Sequence, residues 1–286
     1  MAGCAPASLQ TIQVGDITVT YLPDGEGHFV PTAMFPASRP EDWERHEELL
    51  DDDGRYVVTV GAFLIRTRDR TLIVDLGAGV MEFDQPGFGH GTCGRLPNSL
   101  RQAGVDAADV DTVVYTHLHA DHAGWTTQAG AELTFPNARH IIGDSSEWEF
   151  WRANPDLPFA PPADIVLDPL EDRVEIASDG QSVAPGVTLL ATPGHTPGHQ
   201  TVVISSGADR AVILGDVMHC PLQVTTPEWG VLFDVDSDLA RRTRERMLSE
   251  LEEEGSTVGC GHFPEAAFGR IVRGSGKRTW HVAAPA

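Results

Sequence analysis

Lysine is almost missing from this chain. Lys277 is the only one, and arginine supplies the other nineteen of the twenty basic residues. Basic residues are themselves scarce beside 42 acidic ones, which leaves a formal net charge of −22. A balance this acidic disfavours nucleic acid and anionic membrane as partners. No apolar run is long enough for a membrane span, and the first residues show neither a charged start nor an apolar signal core. Cysteines stand only at 4, 93, 220 and 260, with no CxxC pair, so reduced thiols and a cytoplasmic setting are expected. Also absent are a Gly-x-Ser-x-Gly elbow, a Walker loop and a dinucleotide fingerprint. No tandem repeat or Pro/Gly/Ser-rich linker divides the 286 residues, of which 41% are apolar. One large domain over residues 1–286 is expected, with residues 1–10 disordered.

What the chain does have is a dense cluster of donors. Thr116-His117-Leu118-His119-Ala120-Asp121-His122-Ala123-Gly124 places three histidines and one aspartate within six residues. Crowded imidazoles and a carboxylate need a common partner, and a divalent cation is the simplest. On an extended segment His117, His119 and Asp121 converge on one side while His122 points elsewhere, which suits two adjacent metals better than one. The bland alternative is a surface histidine cluster, and three downstream segments outweigh it. His195 and His199 lie in Thr192–His199, Asp216 follows Leu214-Gly215, and His262 follows Gly259-Cys260-Gly261. Each candidate sits just past a short β-branched run, where a rigid strand end can present a ligand to a cleft.

These residues resemble the metallo-β-lactamase superfamily, over about residues 56–265. The resemblance implies an α/β fold, a four-layer αβ/βα sandwich with a binuclear site at the edge between two sheets. It implies that His117, His119 and His195 hold the first metal, that Asp121, His122 and His262 hold the second, and that Asp216 bridges both. Asp75 would support the site through hydrogen bonds to ligand histidines, and His199 would lie behind the ligands as well. Two divalent ions per chain follow. Zinc leads, with iron, manganese and cobalt also compatible with histidine and carboxylate.

Paired metals lower the pKa of a bridging water from about 15.7 toward neutrality, so hydroxide attack on an ester carbonyl or phosphoryl centre is the expected chemistry. Asp121 can orient that nucleophile as well as bind metal. The segments resemble most the branch of N-acyl-homoserine lactonases and methyl parathion hydrolase-like enzymes. The supporting residues are His117–Gly124, Pro193–His199, Gly215–His219, Phe233–Asp236 and Gly261–Pro264. Two positions depart from many lactonases: Trp125 replaces a glycine, and His219 replaces a tyrosine that donates to the substrate oxygen. His219 is therefore a candidate proton donor or pocket residue. The expected activity is hydrolysis of a lactone or a carboxylic (aryl) ester. A thioesterase, an organophosphate triester hydrolase and a non-catalytic metal- or ligand-binding module are the alternatives. Phe83, Phe88, Trp125, Met218, Leu222 and Trp229 are the expected pocket residues for an apolar acyl or aryl group. Relatives in this branch make a homodimer the expected assembly.

The remaining pattern is coarser. Ile12–Leu22 reads as edge strands, Ser38–Leu50 as a capped acidic helix, and Tyr56–Arg66 with Thr71–Leu76 as a strand pair. Met81–Pro97 reads as a Gly-rich loop from which His90 can approach the site. Asp144–Asn154 and a longer segment from Asp236 or Ser237 to Glu254 read as helices, the latter with an apolar stripe at core spacing. His28, His46, His140 and His281 are isolated and expected to be exposed or incidental.

Overall fold

The computed structural model describes residues 3–128 and 132–283. Among these, two β-sheets stack face to face. The first contains β1 (Gln10–Val14), β2 (Ile17–Phe29), β3 (Tyr56–Arg66), β4 (Thr71–Val74), β5 (Met81–Gln85), β6 (Gly89–Cys93), β7 (Thr112–Val114), β8 (Arg139–Ile142) and β9 (Val174–Ile176). Its order is β5-β6-β2-β3-β4-β7-β8-β9, with β1 on the free half of β2. The second runs in sequence order from β10 (Ser182–Ala184) and β11 (Val187–Ala191) through β12 (Gln200–Ser206) and β13 (Asp209–Ile213) to β14 (Thr257–Gly259), β15 (Phe268–Gly274) and β16 (Lys277–Val282).

The central strands of both sheets are buried on both faces, and the two-residue side-chain period sorts their residues into layers. Phe63, Ile65, Leu72 and Val74 meet Val187, Leu189, Val202 and Ile204 in the central core. Their neighbours Ala62, Leu64 and Ile73 face the other way, toward Leu96 and Leu100 of α1 (Leu96–Gln102) and Trp151 of α3 (Ser145–Ala153). On the far side, Val203, Val212 and Val258 meet Met247, Leu248 and Leu251 of α4 (Ser237–Glu254). The result is the expected four-layer helix–sheet–sheet–helix sandwich. A short helical turn, α2 (Ala120–Ala123), completes the elements that matter for the site. No helix of the described residues is long and apolar enough to cross a membrane.

The helix ends follow local chemistry. Asp144 caps α3 by accepting from Ser146 N–H, and Asp236 caps α4 by accepting from Leu239 N–H. Gly255 ends α4 at φ 64°, a left-handed conformation that suits glycine.

Several expectations change. Residues 3–10 are ordered rather than disordered: Cys4 N–H donates to the Leu50 carbonyl, Ala5 N–H to Glu265, and Ala7 is buried. Residues 1–2 lie outside the described residues. β2 is no edge strand, because it pairs with β1, β3 and β6. The acidic helix is only Pro40–Trp43, followed by a separate 3-10 turn at Glu47–Leu49. The loop expected over Met81–Pro97 contains the hairpin β5–β6. Gly89 and Gly91 supply no apolar alternation, and the pairing of β6 with β2 comes from backbone groups.

Leu248 is fully buried between α4 and the second sheet. Leu248→Ala is expected to cost about 2–5 kcal/mol, read as a lower denaturation midpoint with unchanged metal content of the folded protein.

Candidate metal centre

The site gathers where strands end. β4 and β7 are parallel neighbours, so Asp75 and Thr116 emerge side by side; β13 and β14 are also parallel, so Asp216 and His262 do the same. Asp75 takes a left-handed φ of 60°, an uncommon choice for a residue with a side chain. Its carboxylate accepts from Thr116 N–H at 2.7 Å, from the Thr116 hydroxyl at 2.9 Å, and from His122 Nδ1 at 2.9 Å.

The donor-rich segment is extended only as far as His119 and then turns into α2. Asp121 is thus not on the extended run expected from alternation, and His122 does not point away. Helical turning brings His122 Nε2 to 3.1 Å from His262 Nε2 and 3.8 Å from Asp121 Oδ2. Three overlapping donor groups result, one of them Asp216 with His219 and His262. His117, His119, His195 and Asp216 have one donor atom each within 4.8 Å of all the others, and so do Asp121, His122 and His262. Asp216 lies between them. Its Oδ2 is 3.2 Å from His195 Nε2, while its Oδ1 is 3.2 Å from His122 Nε2 and 3.3 Å from His262 Nε2.

The hydrogen bonds behind the rings settle which nitrogen faces inward. His262 Nδ1 faces the Thr59 carbonyl at 2.9 Å, His122 Nδ1 faces Asp75, and His195 Nδ1 faces Asp234 Oδ1 at 2.9 Å. The Thr116 hydroxyl donates to Asp75, so it accepts from His117 Nδ1 at 3.1 Å. Each neutral ring therefore carries its proton on Nδ1 and turns a bare Nε2 lone pair into the cluster. Facing lone pairs at 3.1 Å between His122 and His262 repel unless positive charge lies between them. His119 Nδ1 adds to the crowding, at 2.9 Å from both His117 Nε2 and His195 Nε2. Asp216 Oδ1 is buried without a hydrogen bond. This donor set fits two divalent cations.

The electrostatics of the metal-free side chains point the same way. Burial, reinforced by neighbouring imidazoles, holds His117 and His119 well below the usual histidine range. Burial also opposes charge on His122, His195 and His262, but nearby carboxylates, Asp216 foremost, overcome it. His122 is pushed well up, His262 is raised, and His195 rises to about 9. Asp216, despite burial, is held well below the carboxylate range by the surrounding histidines. The pocket calls for cations, and protons are the substitute.

His199 holds no free nitrogen for a metal. Its Nδ1 donates to the Thr192 carbonyl at 3.1 Å, and its Nε2 accepts from Asp216 N–H at 2.9 Å. It fixes the backbone of Asp216. His219 is clamped too: its N–H donates to Gln223 Oε1, its carbonyl accepts from the Tyr56 hydroxyl, and its ring stacks on His262 at 5.2 Å. Its Nε2 lies 2.9 Å from Asp216 Oδ2, and its Nδ1 is buried without a partner.

The expected pocket residues scatter. Trp125 is a core residue whose Nε1–H donates to Asp24, and Met218 packs under the second sheet. Leu222 and Trp229 join an aromatic cluster with Phe35 and Trp43, against which Phe83 and Phe88 pack half-buried. His90 stacks on His28 at 5.0 Å, and His140, expected to be exposed or incidental, is buried against Tyr115.

Three buried charged residues with no role assigned from sequence hold the ligand loops. Glu147 accepts from Leu118 N–H at 2.8 Å and from Gly198 N–H at 3.0 Å, lashing the His117–His119 loop to the His195–His199 loop. Asp234 orients His195. Arg244, fully buried, lies 3.6 Å from Asp234 and donates to the carbonyls of Val217 and Pro227. A charged residue inside the apolar stripe of α4 was the available signal for Arg244. Glu147 offered only its place one turn into α3.

Comparison with known proteins agrees with this architecture. The family model described as "Metallo-beta-lactamase superfamily" matches residues 24–262. An N-acyl homoserine lactonase of Bacillus sp is 28% identical over 235 residues, covering 78% of this chain and 86% of that protein. The N-acyl homoserine lactonase AiiA of Bacillus thuringiensis subsp. kurstaki is 29% identical over 216 residues, covering 71% and 80%. Among solved structures, AidC, a dizinc quorum-quenching lactonase in complex with a product, superposes with a TM-score of 0.84 at 22% identity, covering 97% of this chain and 98% of that one. The hydrolase AbOPH gives a TM-score of 0.83 at 24% identity, with the same coverage.

Arg244→Met removes the countercharge of Asp234 and leaves the carbonyls of Val217 and Pro227 without their donor. It is expected to destabilise the protein by about 3–5 kcal/mol and to speed metal loss to a chelator. Both are read in one series of denaturation and metal-retention measurements.

Proposed function

We propose that this chain, which belongs to the metallo-beta-lactamase superfamily, opens the cyclic ester of an N-acyl homoserine lactone or a closely related lactone. It is a metal-dependent hydrolase of ester bonds. The observation that carries the reading is the pair of donor groups with the Asp216 carboxylate between them. His117, His119 and His195 would hold one cation, and Asp121, His122 and His262 the other. Asp216 would offer one carboxylate oxygen to each. Zinc suits this mixture of imidazole and carboxylate, and one neighbour in fold is named a dizinc lactonase. When bound, such a pair supplies Lewis acidity toward the ester carbonyl and makes water a stronger acid.

The protein's own groups have separable tasks. The Nδ1 protons of His122, His195 and His262, pinned by Asp75, Asp234 and Thr59, keep the Nε2 atoms aimed inward. Asp121 is the most open of the carboxylates, with its side chain 23% exposed, against 4% for Asp216. Its carboxylate can take a proton from the attacking water and return it to the leaving alkoxide. His219 donates from Nε2 to Asp216 Oδ2 and so steadies the shared carboxylate. That contact favours a positioning role over direct donation to the substrate. Substrate identity is supported by the curated relatives, which are N-acyl homoserine lactonases.

The test is hydrolysis of matched lactone, aryl ester, thioester and phosphotriester substrates by protein whose metal content is counted. A lactone preference with two metals per chain is the expected result. Full metal occupancy with little lactone turnover and strong thioester or phosphotriester hydrolysis overturns the substrate assignment. Asp216→Asn should lower metal content and reduce turnover by at least about 100-fold; unchanged kinetics would refute a shared carboxylate. Metal should be retained in mildly alkaline buffer and lost as pH falls, because His122, His195 and His262 then take up protons in place of cations. Dialysis across pH followed by metal analysis reads this directly.

A further inference from the structure

Asp75, Asp216 and Asp234 are each fixed by hydrogen bonds to their side chains. Asp121 makes none among the described residues. It approaches His122 Nε2 at 3.8 Å and His262 Nε2 at 3.7 Å, both beyond hydrogen-bond reach. Its place is therefore inherited from the backbone of α2. That backbone is sewn to the segment after β4. Leu76 N–H donates to the His122 carbonyl at 2.7 Å, Gly124 N–H to the Gly77 carbonyl at 2.8 Å, and Trp125 N–H to the Leu76 carbonyl at 3.2 Å. The two segments lie so close that a methyl group on Gly124 would stand 2.0 Å from the Ala78 carbonyl carbon, so only glycine fits there.

Asp24, fully buried on β2, closes this seam at its open end. Its Oδ2 accepts from Ala78 N–H at 2.8 Å. Its Oδ1 accepts from Trp125 Nε1–H at 2.9 Å, from Leu96 N–H at 2.8 Å and from Gly94 N–H at 3.2 Å. One carboxylate thus grips both sides of the seam, Ala78 on one and Trp125 on the other. Hydrogen bonds to a charged acceptor are stronger than neutral ones. Trp125 is also a position where the sequence departs from many of the lactonases it resembles, and the steps above give its indole N–H no task.

We propose that Asp24 and the indole N–H of Trp125 are a positioning pair that sets where the Asp121 carboxylate stands in the donor group it forms with His122 and His262. This rests on the metal-dependent hydrolase reading above. Neither residue touches substrate. Both act through the backbone of α2, on how tightly Asp121, His122 and His262 hold their cation and on the reach of Asp121 to the attacking water. The other donor group, built on His117, His119 and His195, is backed by Glu147 and Asp234 instead and lies outside the reach of the pair.

The test compares wild type with Trp125→Phe, Asp24→Asn and Leu248→Ala. Trp125→Phe keeps a ring in the core and deletes the N–H. Asp24→Asn keeps the shape and removes the charge. Leu248→Ala loses stability far from the site and is the control. Stepwise removal of metal by a chelator and the visible spectrum of the cobalt(II)-loaded protein are read first, then kcat and KM on the substrate of the panel that is turned over best. In Trp125→Phe and Asp24→Asn one of the two ions should be held about tenfold or more weakly while the other is unchanged, and the cobalt bands of the second equivalent should shift. With both ions loaded, kcat should fall by about ten- to a hundredfold and KM stay within about twofold. Leu248→Ala should keep wild-type values in every readout except melting temperature. If Asp24→Asn does not fold, Trp125→Phe carries the test alone. Variants that lose melting temperature yet keep wild-type metal affinities, cobalt spectrum and kcat overturn the proposal, and so does equal weakening of both ions. The metal readouts need no substrate. A wild type that turns over no ester, with one ion weakened in Trp125→Phe, would overturn the hydrolase reading and leave the positioning pair standing.

Discussion

A buried carboxylate ringed by imidazoles is the constraint around which this protein is arranged. The Asp216 carboxylate has five histidine nitrogens within 3.7 Å, from His117, His122, His195, His219 and His262. Water is excluded from most of these groups, so their lone pairs and charges have no ordinary partner. Such a cluster is unfavourable alone and becomes favourable with cations in place, which couples metal binding to the stability of the whole end of the sandwich.

Holding that cluster together needs rigid backing, and the backing is ionic. Asp75, Glu147 and Asp234 are each buried, and each braces a different ligand segment. Glu147 joins two loops that are about eighty residues apart in sequence, and Arg244 ties the helix of the outer layer to Asp234. Buried charges of this kind contribute little net stability as pairs, but removing one partner strands the other. They therefore specify geometry more than they add stability. Asp24 does similar work further out, where β2 changes partners from β1 to β6. Its carboxylate accepts from Ala78, Leu96 and Trp125, and burial raises its pKa.

The fold explains why the site lies where it does. Parallel pairing of β4 with β7 and of β13 with β14 delivers ligand-bearing loops from both sheets to one edge. The central core then sets the distance between the two halves of the site.

The sequence by itself determined the donor set, because crowded His and Asp residues leave few chemistries besides metal binding, and those motifs carried the family resemblance that implied the layered architecture. It also marked α4 and its caps, because helix ends are signalled locally. Tertiary structure alone decided that Trp125 and Met218 serve the core, that residues 3–10 are tied down, and that Glu147 and Arg244 hold the ligand loops. Each of those depends on a partner far away in the chain. Local pattern records the period of a side chain and its type, but the identity of the atom it meets is fixed only when the two sheets pack.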